Sequence, residues 1–302
     1  MAGIGRPVFR EIPLARLDAG PYGITTGPDG ALWFTLVHGG AVARMTLEGQ
    51  LDVFPLDASG SRPCILTPGP DGALWFTRSG DHQIGRITTA GEMASFPLPT
   101  ANAGPFGIAS GPDGALWFTE MNADQIGRIT TDGAITEFAL PIQGAFPSAM
   151  TAGPDGALWF TLNQANAIGR VTPEGEVAIH PLPTPFAAPV GITLGRDGAL
   201  WFVEIGAGQI GRITPDGTTR EFPLPDRTAR PHAIVADPDG ACWFTEWGAN
   251  RLGHITSEGV IHEYDLPTPS SEPHGLVLGP DGAIWIALEI GRILRVSFTN
   301  GS

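Results

Sequence analysis

The chain has 302 residues, 42 of them Gly and 29 Pro, and a formal net charge of −14. In an aperiodic chain so much Gly and Pro would signal low complexity, but 42% hydrophobic content predicts a packed core, and the acidic balance lacks the positive field that phosphate neutralisation requires, which argues against a nucleic-acid partner. No run approaches the roughly 20 apolar residues of a membrane span, and the opening stretch has no signal-peptide core, so a cytoplasmic protein without membrane contact is expected.

From the N-terminus, Glu11-Ile12-Pro13-Leu14 matches Glu221-Phe222-Pro223-Leu224 at an offset of 210 residues, five periods of 42. The period is set by the string GPDGALWFT, which begins at Gly27, Gly69, Gly111 and Gly153 and continues in altered form from Gly195, Asp237 and Gly279. Seven of the eight tryptophans, from Trp33 to Trp285, thereby occupy one equivalent position, whose regular recurrence predicts packing between units. Within a unit, a Pro-x-Gly-Ile run predicts strand one. Gly-Pro-Asp-Gly is turn chemistry, because Pro fixes φ, Asp bonds its own backbone and Gly supplies positive φ. Ala-Leu-Trp-Phe-Thr predicts a buried strand two, Ile84 to Thr88 is a typical strand three, and Ile135 to Phe138 a typical strand four. Four short strands per 42-residue unit, with no 3.6-residue apolar period, predict propeller blades.

The last unit stops after its third strand, Arg292 to Phe298, and the N-terminal segment is in register to supply the fourth. The expectation is therefore an all-β, seven-bladed β-propeller of four-stranded antiparallel blades, one domain over residues 1–302, closed by its own N-terminal strand. A closed ring with an acidic exterior needs no partner, so a monomer is expected. Cys64 and Cys242 fall on different blades and predict no disulfide.

The seven copies serve as controls for one another: uniform positions are architectural, and those that vary carry what is particular to this chain. The residue after the recurrent proline reads Tyr22, Cys64, Phe106, Ser148, Val190, His232 and His274; the residue before it reads Gly20, Arg62, Gly104, Phe146, Ala188, Arg230 and Glu272. A third column, placed just before the Ile-Gly-Arg strand, reads Ala41, Gln83, Gln125, Ala167, Gln209, Arg251 and Glu289. Only the seventh blade has acids in the last two columns. In an up-and-down blade these positions share the edge opposite the Gly-Pro-Asp-Gly turns. Glu272, His274 and Glu289 should meet there, with Glu272 and His274 on one side of an extended strand. Ring closure places His232 and Tyr22 on either side of His274.

Two neighbouring carboxylates suit a hard cation such as Mg²⁺, and an imidazole beside them suits a general base. Together these favour proton abstraction α to a carbonyl. Weighed against this is the bland reading, in which a rim histidine is a solvated loop residue. Glu120, Glu204 and Glu246, which end second strands on the same face, are read as a solvated acidic rim. His38, His82, His180, His254 and His262 lie outside the chosen columns and receive no role. Cys64 is read as inert, and Arg230 as a possible aid to positioning substrate.

Pro-Tyr22-Gly-Ile, Arg-Pro-His232, Glu272-Pro-His274-Gly and the Glu-Ile-Gly-Arg that starts at Glu289 together resemble the virginiamycin B lyase (streptogramin B lyase) family over essentially the whole chain. The resemblance implies a Mg²⁺-dependent carbon–oxygen lyase that linearises type B streptogramin cyclic depsipeptides at the ring ester without adding water, and so confers antibiotic resistance. It implies Glu272 and Glu289 as metal ligands, His274 as general base, and His232 and Tyr22 as substrate contacts. Two alternatives remain open. One is a metal-dependent propeller hydrolase or lactonase, for which Asn102, Asn122 and Asn163 lie near the right edge; the other is a propeller that binds a ligand without catalysis.

Overall fold

The computed structural model describes residues 5–58 and 60–299; the other positions of the expected 1–302 domain lie outside the described residues. The chain forms seven four-stranded antiparallel sheets set as the blades of a seven-bladed β-propeller. Blade one consists of Pro21–Thr26, Leu32–Leu36, Ala41–Met45 and Leu51–Pro55, and the next five repeat it. Blade seven takes Pro273–Leu278, Ile284–Leu288 and Arg292–Phe298 from the C-terminal end and Pro7–Pro13 from the N-terminal end. The closing strand pairs in the predicted register, with Glu11 opposite Leu294 and Ile12 opposite Ile293.

Strand two is apolar because it is covered on both faces: every residue of Leu116–Glu120 is buried. Its tryptophan packs onto the following blade, as predicted. Trp33 joins Leu66, Leu74 and Phe76 of blade two, and Trp285 joins Ile24, Leu32 and Phe34 of blade one, so the same contact that stacks the blades also closes the ring. Strand four forms the outer edge and mixes exposed with half-buried residues, as in Ile135–Ala139.

A buried indole N–H needs a partner, and the recurrent turn supplies it. Asp29 accepts from Trp33 Nε1 at 3.0 Å and from Arg44 Nε at 2.6 Å. The same Asp–Trp–Arg arrangement recurs in blades two to five and in blade seven, where Asp281 holds Trp285 and Arg295. Blade six departs from it, with His254 in place of the arginine and Asp237 lying 3.6 Å from the ring. Cys64 and Cys242 are both buried free thiols, as expected.

Candidate functional site

All seven first strands line the central channel, and they approach one another so closely that small residues are required. A Cβ on Gly275 would fall 2.5 Å from the carbonyl oxygen of Tyr22. This closeness presses the start of blade seven onto blade one and stacks His274 on Tyr22, with ring centroids 4.5 Å apart. His232 of blade six meets His274 edge-on at 4.6 Å, and its Nε2 shares a 3.3 Å hydrogen bond with the Tyr22 hydroxyl. The structure thus brings Tyr22, His232 and His274 into one cluster. Trp247 stands 6.4 Å from His274, under the Arg230 guanidinium.

Glu289 lies beside this cluster, but in a different setting from the one expected. Leu288 pairs with Arg292, whereas in blade six Glu246 pairs with Arg251. The turn of blade seven is therefore one residue shorter, and Glu289 opens that turn instead of preceding strand three. Its structural equivalents include Val37, Ser79, Met121, Asn163 and Trp247. Each of these, like Glu289, donates its N–H to the residue just before the recurrent proline, here the carbonyl of Glu272 at 3.1 Å. The Glu-Ile-Gly-Arg string imitates the Gln-Ile-Gly-Arg of other blades, yet its Gly291 is a turn residue with φ of 89°. In blades two to six that glycine lies under the strand-two phenylalanine, a Cβ on Gly127 falling 2.1 Å from Phe118, whereas blade seven pairs Leu294 with Ile286 there.

Glu289 is bracketed by two imidazoles. One carboxylate oxygen touches His274 Nε2, and the other lies 2.6 Å from His38 Nε2. The two histidines, His274 above all, hold Glu289 down at about 2 against the opposing effect of burial, so it is a carboxylate at any working pH. Burial, reinforced by His274, pushes His232 down to about 3, and burial also raises Tyr22, so the cluster presents a neutral imidazole and a protonated phenol.

Glu272 is exposed and left-handed, with φ of 52°. It precedes the strand, so the extended-chain argument that placed it on one side with His274 does not hold. Its link to the site is the backbone bond to Glu289. Among the described residues no three His, Cys, Asp or Glu side chains gather into a metal cage. A hard cation needs no such cage: Mg²⁺ is commonly held by one or two carboxylates and completes its shell with water and substrate. The half-buried Glu289 carboxylate is a donor of that kind, Glu272, tied to it through the backbone, carries an exposed second carboxylate, and the buried Nδ1 of His274 lacks a hydrogen-bond partner.

Beside Glu289 opens a pocket of about 160 Å³ lined by Tyr22, His38, Arg62, Phe106 and Met121. His38 and Trp247 are the site residues that the sequence reading passed over; both stand in the turn after strand two, and each departs from its counterparts there. Glu120, Glu204 and Glu246 correct another expectation. They are fully buried instead of forming a solvated rim, each beside a strand-four glutamate of its own blade. Burial, with Glu137 or Glu221 nearby, raises Glu120 and Glu204 to about 8, although Gln209 counters it at Glu204; Glu246 moves the same way beside Glu263. The Asn122 and Asn163 amide N–H groups donate to the carbonyls of Asn102 and Pro189, at 3.2 and 3.4 Å.

The Virginiamycin B lyase family model matches residues 7–296. A solved streptogramin B lyase superposes with a TM-score of 0.94 at 44% identity, covering 97% of this chain and 98% of that one. A catalytically inactive His-to-Ala variant of virginiamycin B lyase from Staphylococcus aureus, solved with quinupristin, gives a TM-score of 0.94 at 45% identity over 97% of this chain and 100% of that one. Among curated relatives, virginiamycin B lyase of Saccharopolyspora erythraea is 62% identical over 50 residues, 17% of either protein, so that alignment spans under a fifth of the relative's length. No helix of the described residues is long and apolar enough to cross a membrane. On the match over nearly its whole length, the chain belongs to the virginiamycin B lyase family.

Proposed function

We propose that this chain is a carbon–oxygen lyase that opens type B streptogramin cyclic depsipeptides at the ring ester, conferring resistance to them, with Glu289 and Glu272 holding Mg²⁺. The observation that carries the reading is His274. His274 is 7% exposed, its Nδ1 has no hydrogen-bond partner, and the Glu289 carboxylate lies against Nε2. A base so placed is oriented but not consumed by the fold. The inactivity of a His-to-Ala variant in the Staphylococcus aureus relative accords with it.

In the proposed reaction His274 takes the α-proton of the threonine-derived residue. The electron pair of that C–H bond forms the Cα=Cβ bond as the Cβ–O bond breaks, and the former ester oxygen leaves within a carboxylate. Glu289 and Glu272 would hold the Mg²⁺, which would supply Lewis-acid stabilisation of negative charge on the neighbouring carbonyl. Tyr22 and His232, uncharged and mutually bonded, offer the substrate hydrogen-bonding groups that do not compete for the α-proton. Phe106 and Met121 give the ring an apolar wall.

The test is incubation with quinupristin, with and without a chelator, followed by mass analysis. The expected product is linear and has the mass of the intact ring, and His274→Ala lowers its rate by roughly 10²–10⁴-fold with the fold intact. A product heavier by one water transfers the reading to a hydrolase, and unchanged substrate in the presence of Mg²⁺ removes it in favour of a binding propeller.

A further inference from the structure

We infer that His38 is a positioning residue: from blade one it holds the Glu289 carboxylate of blade seven in the rotamer that receives the divalent cation. The inference rests on the reading of Glu289 as a cation ligand given above. An exposed histidine–carboxylate contact is ordinarily worth little. Three features set this one apart. Its Nε2···Oε1 distance is 2.6 Å, and the glutamate side chain is only 21% exposed although that of His38 is 53% exposed. The His38 backbone is pinned, with its N–H and that of Gly39 both donating to the carbonyl of Ala19. And the fold has cleared space for the ring, since a Cβ on Gly20 would fall 2.4 Å from His38 Cδ2.

Blades two and four to seven carry Arg62, Phe146, Ala188, Arg230 and Glu272 at the position of Gly20, so the missing side chain is a local accommodation of His38 and not a demand of the turn. The consequence for Glu289 is geometric. A glutamate carboxyl turns freely about its last torsion. With Oε1 anchored by His38, Oε2, the oxygen that touches His274, is the one left to turn to a cation. Hydrogen bonds of this kind orient ligating carboxylates and typically govern metal affinity by 10–100-fold.

The experiment measures Mn²⁺ binding to metal-free protein by the loss of the free-ion electron paramagnetic resonance signal, with thermal unfolding as a folding control. Glu289→Gln is expected to abolish binding. His38→Ala should weaken it roughly 10–100-fold, and His38→Gln, whose amide N–H reaches about as far as Nε2, should restore it to within a few-fold. In turnover, His38→Ala should need more Mg²⁺ to saturate and then approach the wild-type kcat. If His38→Ala binds Mn²⁺ as tightly as wild type while Glu289→Gln does not, the positioning role is wrong and the metal reading stands. If Glu289→Gln binds unchanged, the metal reading fails and the inference falls with it.

Discussion

At the propeller edge that carries the Gly-Pro-Asp-Gly turns, six blades repeat one arrangement: an aspartate bonded to the strand-two indole at 3.0–3.2 Å. At the opposite edge, the position after the recurrent proline carries six different residue types in seven blades. Both edges belong to the same strands. The first edge is constrained because each aspartate satisfies a buried N–H that would otherwise lie unpaired. The second is free because its backbone bonds, such as Glu289 N–H to the carbonyl of Glu272 and Val37 N–H to that of Gly20, form whatever the side chain. Chemistry accumulates where the backbone alone meets the structural requirement.

Asp113→Ala makes the strongest test of that contrast. It strands the Trp117 indole N–H and leaves Arg128 without its carboxylate, and should destabilise the protein by about 1–3 kcal/mol, seen as a lower unfolding midpoint in denaturant, while kcat is unchanged. A loss of kcat without a loss of stability would break the division between edges.

The same contrast explains what the sequence made legible. A turn written seven times shows its own function, and His232 and His274 stand out because they share one variable column that the repeat aligns, with Tyr22 brought beside them by ring closure. Glu289 was assigned to the wrong column because its turn is one residue short and the Gly291 that follows imitates a strand glycine; only the pairing of Leu288 with Arg292 reveals the deletion. His38 and Trp247 lie in the turn after strand two, where side chains point across to a neighbouring blade, a relation that periodicity within one blade does not encode. The buried acids were misread for a similar reason. Glu120 ends a strand, as a rim residue does, but the packed blade covers it completely.

These acids give a second, smaller effect. Glu120 keeps its proton in the folded state up to about 8, whereas in the unfolded chain it releases it near the ordinary carboxyl value of 4.5. Between those values the folded state binds more protons than the unfolded, so stability falls as pH rises through this window. The melting temperature should therefore drop between pH 5 and pH 8, and Glu120→Gln, neutral throughout, should shrink that drop. An equal drop in the variant would mean that the buried carboxyl is not the group holding the proton.

The smallest expected change in stability separates architecture from chemistry within one residue. Glu272 occupies the left-handed region, where Gly20 and Gly104 stand in blades one and three. A non-glycine residue there is strained by about 1–2 kcal/mol, yet Arg62, Phe146, Ala188 and Arg230 adopt it too, so the strain belongs to the fold and by itself implies no function. Glu272→Gly relieves it and keeps the carbonyl that accepts from Glu289. Its melting temperature should match or slightly exceed that of the wild type, while the Mg²⁺ concentration needed for half-maximal turnover rises. If turnover keeps its wild-type Mg²⁺ dependence, Glu272 contributes only its backbone, and the cation site reduces to Glu289 and the residues that hold it.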